Sequence, residues 1–325
     1  LGKCDENNDE FDKLLFACSG IEEIFIPSQI KIISSNAFYK CSNVINVEIP
    51  TNTNLQMIES NAFEDSEIEE ICIPSKISTI CESTFCGCFN LTKIEIPTNS
   101  ILQKIEENAF LGSKIEEIYF PASLKELKKG WCCGTNNLIK IKISPLNNRF
   151  ILKEDKYLLG KSDEKNDNFD ILLFAYRNIE EIYIPSNIKI ISSFAFFNCS
   201  KLHKVEIPTN SDLEIIETSA FSRSNIKYIY IPSKVSIICE NAFEYCTNLT
   251  KIEISTNSNL QTIEKSAFSQ TKINEIYIPS TVSTIRENSF FFCSNLTKIE
   301  IPTNSNLQII ESNAFAYSSI NDIFI

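Results

Sequence analysis

The chain has 325 residues, of which 43% are hydrophobic and 22% charged, with 42 acidic against 30 basic side chains and a formal net charge of −12. This length and apolar content exclude a wholly disordered chain and allow a large buried core; the acidic balance excludes nucleic acid and anionic lipid as general partners. No apolar run reaches the roughly 18 to 20 residues that cross a bilayer, so no membrane contact is expected of this segment.

Taken in chain order, residues 1–20 (LGKCDENNDEFDKLLFACSG) read as part of a β-hairpin that begins in mid-motif. From that start, and from Met57 as the sole methionine, the chain is expected to be a piece of something longer. From residue 21 the pattern apolar-x-x-apolar-x-apolar-Pro recurs: IEEIFIP at 21, VINVEIP at 44, IEEICIP at 68, LTKIEIP at 91, IEEIYFP at 115 and LIKIKIS at 138. A second series follows from IEEIYIP at 179 through LHKVEIP at 202, IKYIYIP at 226, LTKIEIS at 249, INEIYIP at 273 and LTKIEIP at 296 to INDIFI at 320. Within each series the spacing alternates 23 and 24 residues, so the repeating unit is a pair of turns 47 residues long. Self-similarity at so short a period is the signature of a solenoid.

Each copy alternates apolar and polar residues before its proline, as a short strand does where its ladder must stop. A period this short leaves no room for a full crossover helix, so parallel strands joined by tight returns of extended or 3₁₀ character are expected. Between strands run Ile-x-x-Ile and Asn-Ala-Phe, as in Ile30, Ile33, Ala37 and Phe38. The phenylalanines at 38, 63, 85, 110, 196, 221, 243, 268, 290 and 315 are expected to stack as an interior column. Each isolated turn exposes an apolar flank that only its neighbours can cover.

The series breaks between Ser144 and Ile179. Residues 159–178 match residues 1–20 at 13 of 20 positions, and the same offset of 158 carries Pro27 onto Pro185 and Pro50 onto Pro208, so whole arrays were duplicated. The expected organisation is a partial hairpin at 1–20, a first array at 21–144, a hairpin insert at 145–178 and a second array at 179–325. In the insert, Tyr157, Leu158 and Leu159, a polar loop, and then Ile171, Leu172, Leu173 and Phe174 form the hairpin signal.

The unit exemplified by Ile71, Ile73, Pro74, Ile77, Ile80, Phe85, Cys88 and Leu91 resembles the repeat of the BspA-like leucine-rich-repeat proteins. The insert from Asn148 to Tyr176 resembles the segment that separates arrays in that family. The resemblance covers essentially the whole chain and implies a mainly β, right-handed stack with a parallel strand face, its two arrays separated by the hairpin. It further implies a cell-surface or secreted protein that adheres to host cells or matrix proteins. Departures are Trp131 and Cys132 in place of Ala-Phe, where a bulge is expected, and Ser144 and Ser255 in place of proline.

Thirteen cysteines raise the question of a disulfide framework. Cys41 and Cys88 lie 47 residues apart, as do Cys199, Cys246 and Cys293 in succession, so each sits two turns from the next. At a strand spacing of ~4.8 Å that is ~10 Å, beyond the ~7 Å Cα separation a disulfide tolerates. They are expected to form a column of buried thiols. Cys4 and Cys18 flank the first hairpin, but Ser162 and Tyr176 hold their places in its twin, so no bridge is required there. Cys86-x-Cys88 is at most half a zinc site, and neither a metal nor a cofactor is expected. His203 is the only histidine, and no phosphate-cradling glycine loop is present. No catalytic residue is assigned, and the chain is expected not to be an enzyme.

In each strand the first, fourth and sixth residues are expected to face the core, leaving the third and fifth on the outer strand face. The fifth positions alternate aromatic and charged groups, and the third positions place opposite charges on neighbouring strands. Tyr119, Tyr183, Glu206, Tyr228, Tyr230, Glu253, Tyr277 and Glu300 are the candidate ligand-binding residues on this face, concave in leucine-rich repeats. A self-neutralising Glu/Lys ladder is the structural alternative for the same columns. The expected partner is a protein, or a glycan, at the host surface; an intracellular scaffold with reduced thiols is the other functional reading.

Overall fold

The structure is a computed structural model in which residues 2, 12–15, 20–165 and 167–324 are described, apart from the side chain of Phe324. It divides into two compact units, Leu1–Phe150 and Ile151–Ile325. The described residues contain no helix. In the first unit the IEEIxIP segments form one parallel sheet of Glu23–Phe25, Asn46–Glu48, Glu70–Cys72, Lys93–Glu95, Glu117–Phe120 and Lys140–Ile143, in chain order. In the second unit the same segments pair in parallel as three shorter sheets, two of two strands and one of three, with Glu181 opposite Lys204, Tyr230 opposite Glu253 and Tyr277 opposite Glu300.

Proline controls how far each ladder runs. Where the seventh residue is Ser144 or Ser255, its N–H donates to Phe120 O at 2.9 Å or Ile231 O at 3.0 Å. Those strands and the ones they pair with run to four residues, as Glu117–Phe120 with Lys140–Ile143 and Tyr228–Ile231 with Lys251–Ile254. Proline has no such donor, and the strand Glu181–Tyr183, which runs into Pro185, stops at three residues.

The returns follow the extended rather than the 3₁₀ course, with a regularity that the sequence did not show. Each carries a two-residue strand, and these form a second parallel sheet: Ile190–Ile191, Ile215–Ile216, Ile237–Ile238, Thr262–Ile263, Thr284–Ile285 and Ile309–Ile310 in the second unit. The Ala-Phe coil that follows is a run of tight turns held by two left-handed residues four positions apart. Examples are Asn36 (φ 59°) with Lys40 (φ 54°), Ser83 (φ 52°) with Gly87 (φ 68°), and Ser266 (φ 53°) with Gln270 (φ 58°). This conformation places N–H groups in line with the next coil, so Phe38 N donates to Ala62 O at 2.7 Å and Phe243 N to Ala267 O at 2.8 Å.

The alternation of 23 and 24 residues has a local cause. Every second return turns on a hydroxyl that accepts from the amide two residues on, as Ser100 Oγ from Leu102 N at 3.1 Å and Ser258 Oγ from Leu260 N at 3.1 Å. The intervening returns have the shorter Pro-Ser-x-Ile corner, such as Pro74 to Ile77, two residues shorter than Pro97 to Leu102, and regain one residue after the ring, where Phe85 to Leu91 is longer than Phe110 to Ile115.

The phenylalanine column forms as expected. Rings stack from Phe38 to Phe63 at 4.6 Å and on through Phe85 and Phe110, and from Phe196 through Phe221, Phe243, Phe268 and Phe290 to Phe315 at centroid spacings of 4.7 to 5.4 Å. Burial of each ring contributes about 2 to 3 kcal/mol before conformational entropy is subtracted, and each stacked pair about 0.5 to 1.5 more. The expected bulge at Trp131 is absent. Phe110 N donates to Trp131 O at 2.8 Å and Gly112 N to Cys133 O at 2.8 Å, the spacing kept by ordinary coils, because Gly130 (φ 62°) and Gly134 (φ 73°) supply both left-handed positions. Trp131 takes the alanine place and packs edge-on against Phe120 at 5.7 Å.

Beside the rings runs the thiol column, in which cysteine alternates with serine or threonine. Cys88 Sγ donates to Phe63 O at 3.0 Å, Cys246 Sγ to Phe221 O at 3.1 Å and Cys293 Sγ to Phe268 O at 3.2 Å. Ser66, Ser224 and Thr271 hydroxyls lie 3.5, 3.4 and 3.3 Å from those same sulfurs. Each thiol is thus a small apolar filler that also satisfies a buried carbonyl.

In the second unit Tyr157–Gly160 pairs antiparallel with Ile171–Ala175, which then continues the return sheet by pairing parallel with Ile190–Ile191. With Phe150–Lys153 on its outer side, the hairpin therefore caps the first edge of the return strands. Arg177, 7% exposed, donates to Ala195 O at 2.9 Å and Ala175 O at 3.2 Å, with its guanidinium 4.7 Å from the Phe174 ring. Buried Asp170 lies 4.0 Å from Lys189, and the same offset of 158 relates the pair Asp12 and Lys31 at 2.9 Å in the first unit. Cys4 and Cys18, considered above for a bridge, fall outside the described residues.

Candidate binding surface

Outward residues on the strands are those the alternation singled out. Glu70-Ile71-Cys72, Lys93-Ile94-Glu95, Glu181-Ile182-Tyr183 and Lys204-Val205-Glu206 each show an exposed, buried, exposed order. The six candidate residues Tyr183, Glu206, Tyr228, Tyr230, Glu253 and Tyr277, with Glu300, all lie on the strand face of the second unit. Tyr119 lies in the first unit, half-buried and in register with Lys142.

Two depressions on that face, of 490 and 710 Å³, share Tyr230 and Glu253 as a common wall. Tyr183, Glu206 and Tyr228 line the first, and Tyr277, Lys298 and Glu300 the second. Seven of the eight candidate residues thus border one continuous trough, and Tyr119 does not. The sequence reading passed over His203 and Thr209, which line the first depression, and Thr256, which lines the second. His203 Nε2 stands 3.5 Å from Glu181. Its place in a trough follows from register, which shows only once strands are stacked.

The charges on the face are paired. Across strands, Lys93 meets Glu70 at 3.4 Å, Lys140 meets Glu117 at 3.0 Å and Lys204 meets Glu181 at 3.9 Å. Along single strands, Lys204 meets Glu206 at 2.6 Å and Lys251 meets Glu253 at 3.5 Å. All are solvent-exposed, so water and salt screen them and each adds little to stability. Their geometry leaves the tyrosines as the groups not committed to the ladder. Tyr183 is 56% exposed. Tyr228 differs: its hydroxyl donates to Glu253 Oε2 at 3.1 Å and Lys251 Nζ stands 5.6 Å from its ring centroid. Burial, with the Glu253 hydrogen bond next, pushes its phenol up to about 12.

The free thiols Cys88, Cys246 and Cys293 are buried and away from this face. Burial pushes Cys88 and Cys246 up to about 12 and Cys293 up to about 11, keeping them protonated and poor nucleophiles. Cys72, in contrast, is an exposed free thiol on the first unit's strand face, in register with Glu95.

The family model described as a BspA-type leucine-rich-repeat region matches residues 9–144, 170–290 and 214–325. Among solved structures, the chain is similar to a leucine-rich cell-surface protein from Faecalibacterium prausnitzii at 22% identity and a TM-score of 0.61, covering 91% of this chain and 82% of that one. It is similar also to the pneumococcal vaccine antigen PcpA, with 19% identity, a TM-score of 0.65 and coverage of 92% and 82%. A leucine-rich-repeat protein from Eubacterium ventriosum aligns at 19% identity and a TM-score of 0.68, covering 93% and 84%. Among curated proteins, none matches this chain by sequence.

Proposed function

This chain belongs to the BspA-type leucine-rich-repeat family, and from that premise we propose that it is a non-catalytic protein-binding module, part of the ectodomain of a cell-surface adhesin. The strand face of the second unit engages a protein of the host cell surface or matrix. The observation that carries this reading is the continuous trough in which Tyr183, Tyr230 and Tyr277 recur at every second strand between Glu206, Glu253 and Glu300. Tyrosine brings a large, stiff amphipathic surface with little rotamer entropy to lose, and it is over-represented where interface energy concentrates. The paired Glu and Lys residues around it form a polar rim that rejects mismatched partners more than it adds affinity. Surface exposure of the whole protein is consistent with the cell-surface and vaccine-antigen descriptions of the two structural relatives, carried over as part of this proposal.

The test is retention of the purified chain on cultured epithelial cells and on immobilised matrix proteins. Tyr183→Ser, Tyr230→Ser and Tyr277→Ser combined are expected to weaken binding at least tenfold, since the few hot-spot residues of an interface, tyrosine prominent among them, cost about 2 kcal/mol or more on truncation, while the melting curve stays cooperative. Undiminished binding by that variant would place the interface on another surface.

A further inference from the structure

A second concavity lies on the opposite side of the second unit, at the start of the two-residue return strands. It measures 590 Å³ and is lined by the carboxamides of Asn259, Gln261, Asn306 and Gln308 and the hydroxyls of Ser236, Thr281 and Ser283, that of Thr281 donating to Ser258 O and Leu260 O. Among the described residues that line it, none is charged and none is aromatic. Six of the seven recur as pairs 47 residues apart, Ser236 with Ser283, Asn259 with Asn306 and Gln261 with Gln308, so the lining repeats at a two-turn step of ~10 Å, and Thr281 stands where the preceding turn-pair has Lys234.

Two observations set this lining apart from ordinary solvated surface. One turn-pair earlier, the same positions hold Lys189, Asp212, Glu214 and Lys234, with Lys234 and Asp212 paired at 2.6 Å. Beyond Lys234 that charged arrangement gives way to neutral amides and hydroxyls. Furthermore, the side chains of Asn259, Gln261, Asn306 and Gln308 are exposed and make no hydrogen bond within the described structure, although their backbone amides are all used, as Gln261 N to Ser236 O at 3.1 Å and Gln308 N to Ser283 O at 2.9 Å. The backbone thus fixes where four two-donor, one-acceptor groups stand while leaving those groups for something else. Ile237 and Ile309, next in chain to Ser236 and Gln308, are 39% and 49% exposed and add C–H surface beside the amides.

We propose that this concavity binds a linear, uncharged oligosaccharide lying across the turns. Carboxamides match hydroxyl groups that both donate and accept, and exposed isoleucine matches the C–H faces of a sugar ring. A charged glycan would lose hydration here with no opposite charge to replace it, and a protein ligand would lack an aromatic or arginine anchor. The ~10 Å step suits a polymer whose repeat is about two sugars. The site is independent of the tyrosine trough, so either can fail alone.

The full chain is tested on a printed array of oligomers of glucose, mannose, galactose and N-acetylglucosamine, beside sialylated and sulfated glycans, and the best neutral probe is then titrated in solution. The expected result is binding to neutral oligomers of three or more sugars and not to monosaccharides. Gln261→Ala with Gln308→Ala should lower affinity at least tenfold, as should Asn259→Asp with Asn306→Asp if the first pair does not fold; the triple tyrosine variant should bind as wild type. Failure to retain any neutral oligomer, preference for charged glycans, or affinity unmoved by both paired variants overturns the proposal.

Discussion

The Tyr228 hydroxyl reaches diagonally to Glu253 Oε2 on the adjacent strand at 3.1 Å, although its register partner is Lys251. The bond exists only while the phenol is protonated. A phenol raised from its ordinary value of about 10 to about 12 favours the folded state at every pH below the unfolded value, and that contribution disappears as pH rises through about 12. The difference between phenolate absorbance titrations of wild type and Tyr228→Phe is expected to show one late-ionising group, and Glu253→Gln should shift that group to lower pH.

The stacked rings dictate where truncation costs most. Phe243 sits between Phe221 at 5.1 Å and Phe268 at 5.2 Å and is fully buried. Phe243→Ala is expected to destabilise by about 3 to 5 kcal/mol. Phe315, half-buried and, among the described residues, stacked on Phe290 alone, should cost clearly less on the same change. Urea unfolding of the two variants checks the order.

Left-handed positions predict substitutions of opposite sign. Gln270 holds φ 58° where earlier coils have Gly87, Gly112 and Gly134. A side chain in this region costs roughly 1 to 2 kcal/mol, against which glycine loses about 0.5 to 1 in chain entropy. Gln270→Gly is expected to raise the melting temperature slightly. At Gly112, φ 72°, an added Cβ meets only Phe89 Cε1 at 3.5 Å, so Gly112→Ala should lose about 1 kcal/mol from backbone strain rather than from a clash. Paired thermal melts read both.

Thiol chemistry separates the cysteines by place. In the native protein at mildly alkaline pH, alkylation followed by peptide mass mapping is expected to label Cys72 readily, and to label Cys88, Cys246 and Cys293 only at the rate of unfolding. Because burial raises those three thiols to about 11 or 12, their contribution to stability holds below the ordinary thiol value and is lost as pH climbs through the raised ones.

Much of this was legible in the residues because the repeat converts sequence distance into height along the stack. Phenylalanines at a fixed place in every turn can only fall in one column, and cysteines 47 apart can only fall two turns apart, so the ring stack and the thiol column followed from counting. Strand alternation likewise gave Tyr183, Glu206 and Tyr230 their outward direction. The return sheet did not show, because a two-residue strand such as Thr262–Ile263 is too short to carry a period. Nor did the left-handed pairs, since residues as unlike as Asn36, Lys40, Phe194, Arg223 and Tyr317 occupy them and backbone bonding to the next coil overrides their preference. The amide-lined concavity was missed for a related reason: Asn259 and Gln308 belong to different turns, and each alone is an ordinary surface residue.

The most direct test of the stacked-turn account is a spin-label distance between Glu206→Cys and Glu300→Cys in a background with Cys4, Cys18, Cys72, Cys81, Cys86 and Cys239 replaced by serine, the buried thiols being closed to the reagent. Four strand steps of ~4.8 Å separate those positions on the face, so a narrow distribution near ~19 Å, broadened only by the label arms, is the predicted result. A broad distribution, or one centred well beyond that length, would contradict it, and the trough and the column of rings would fall with it.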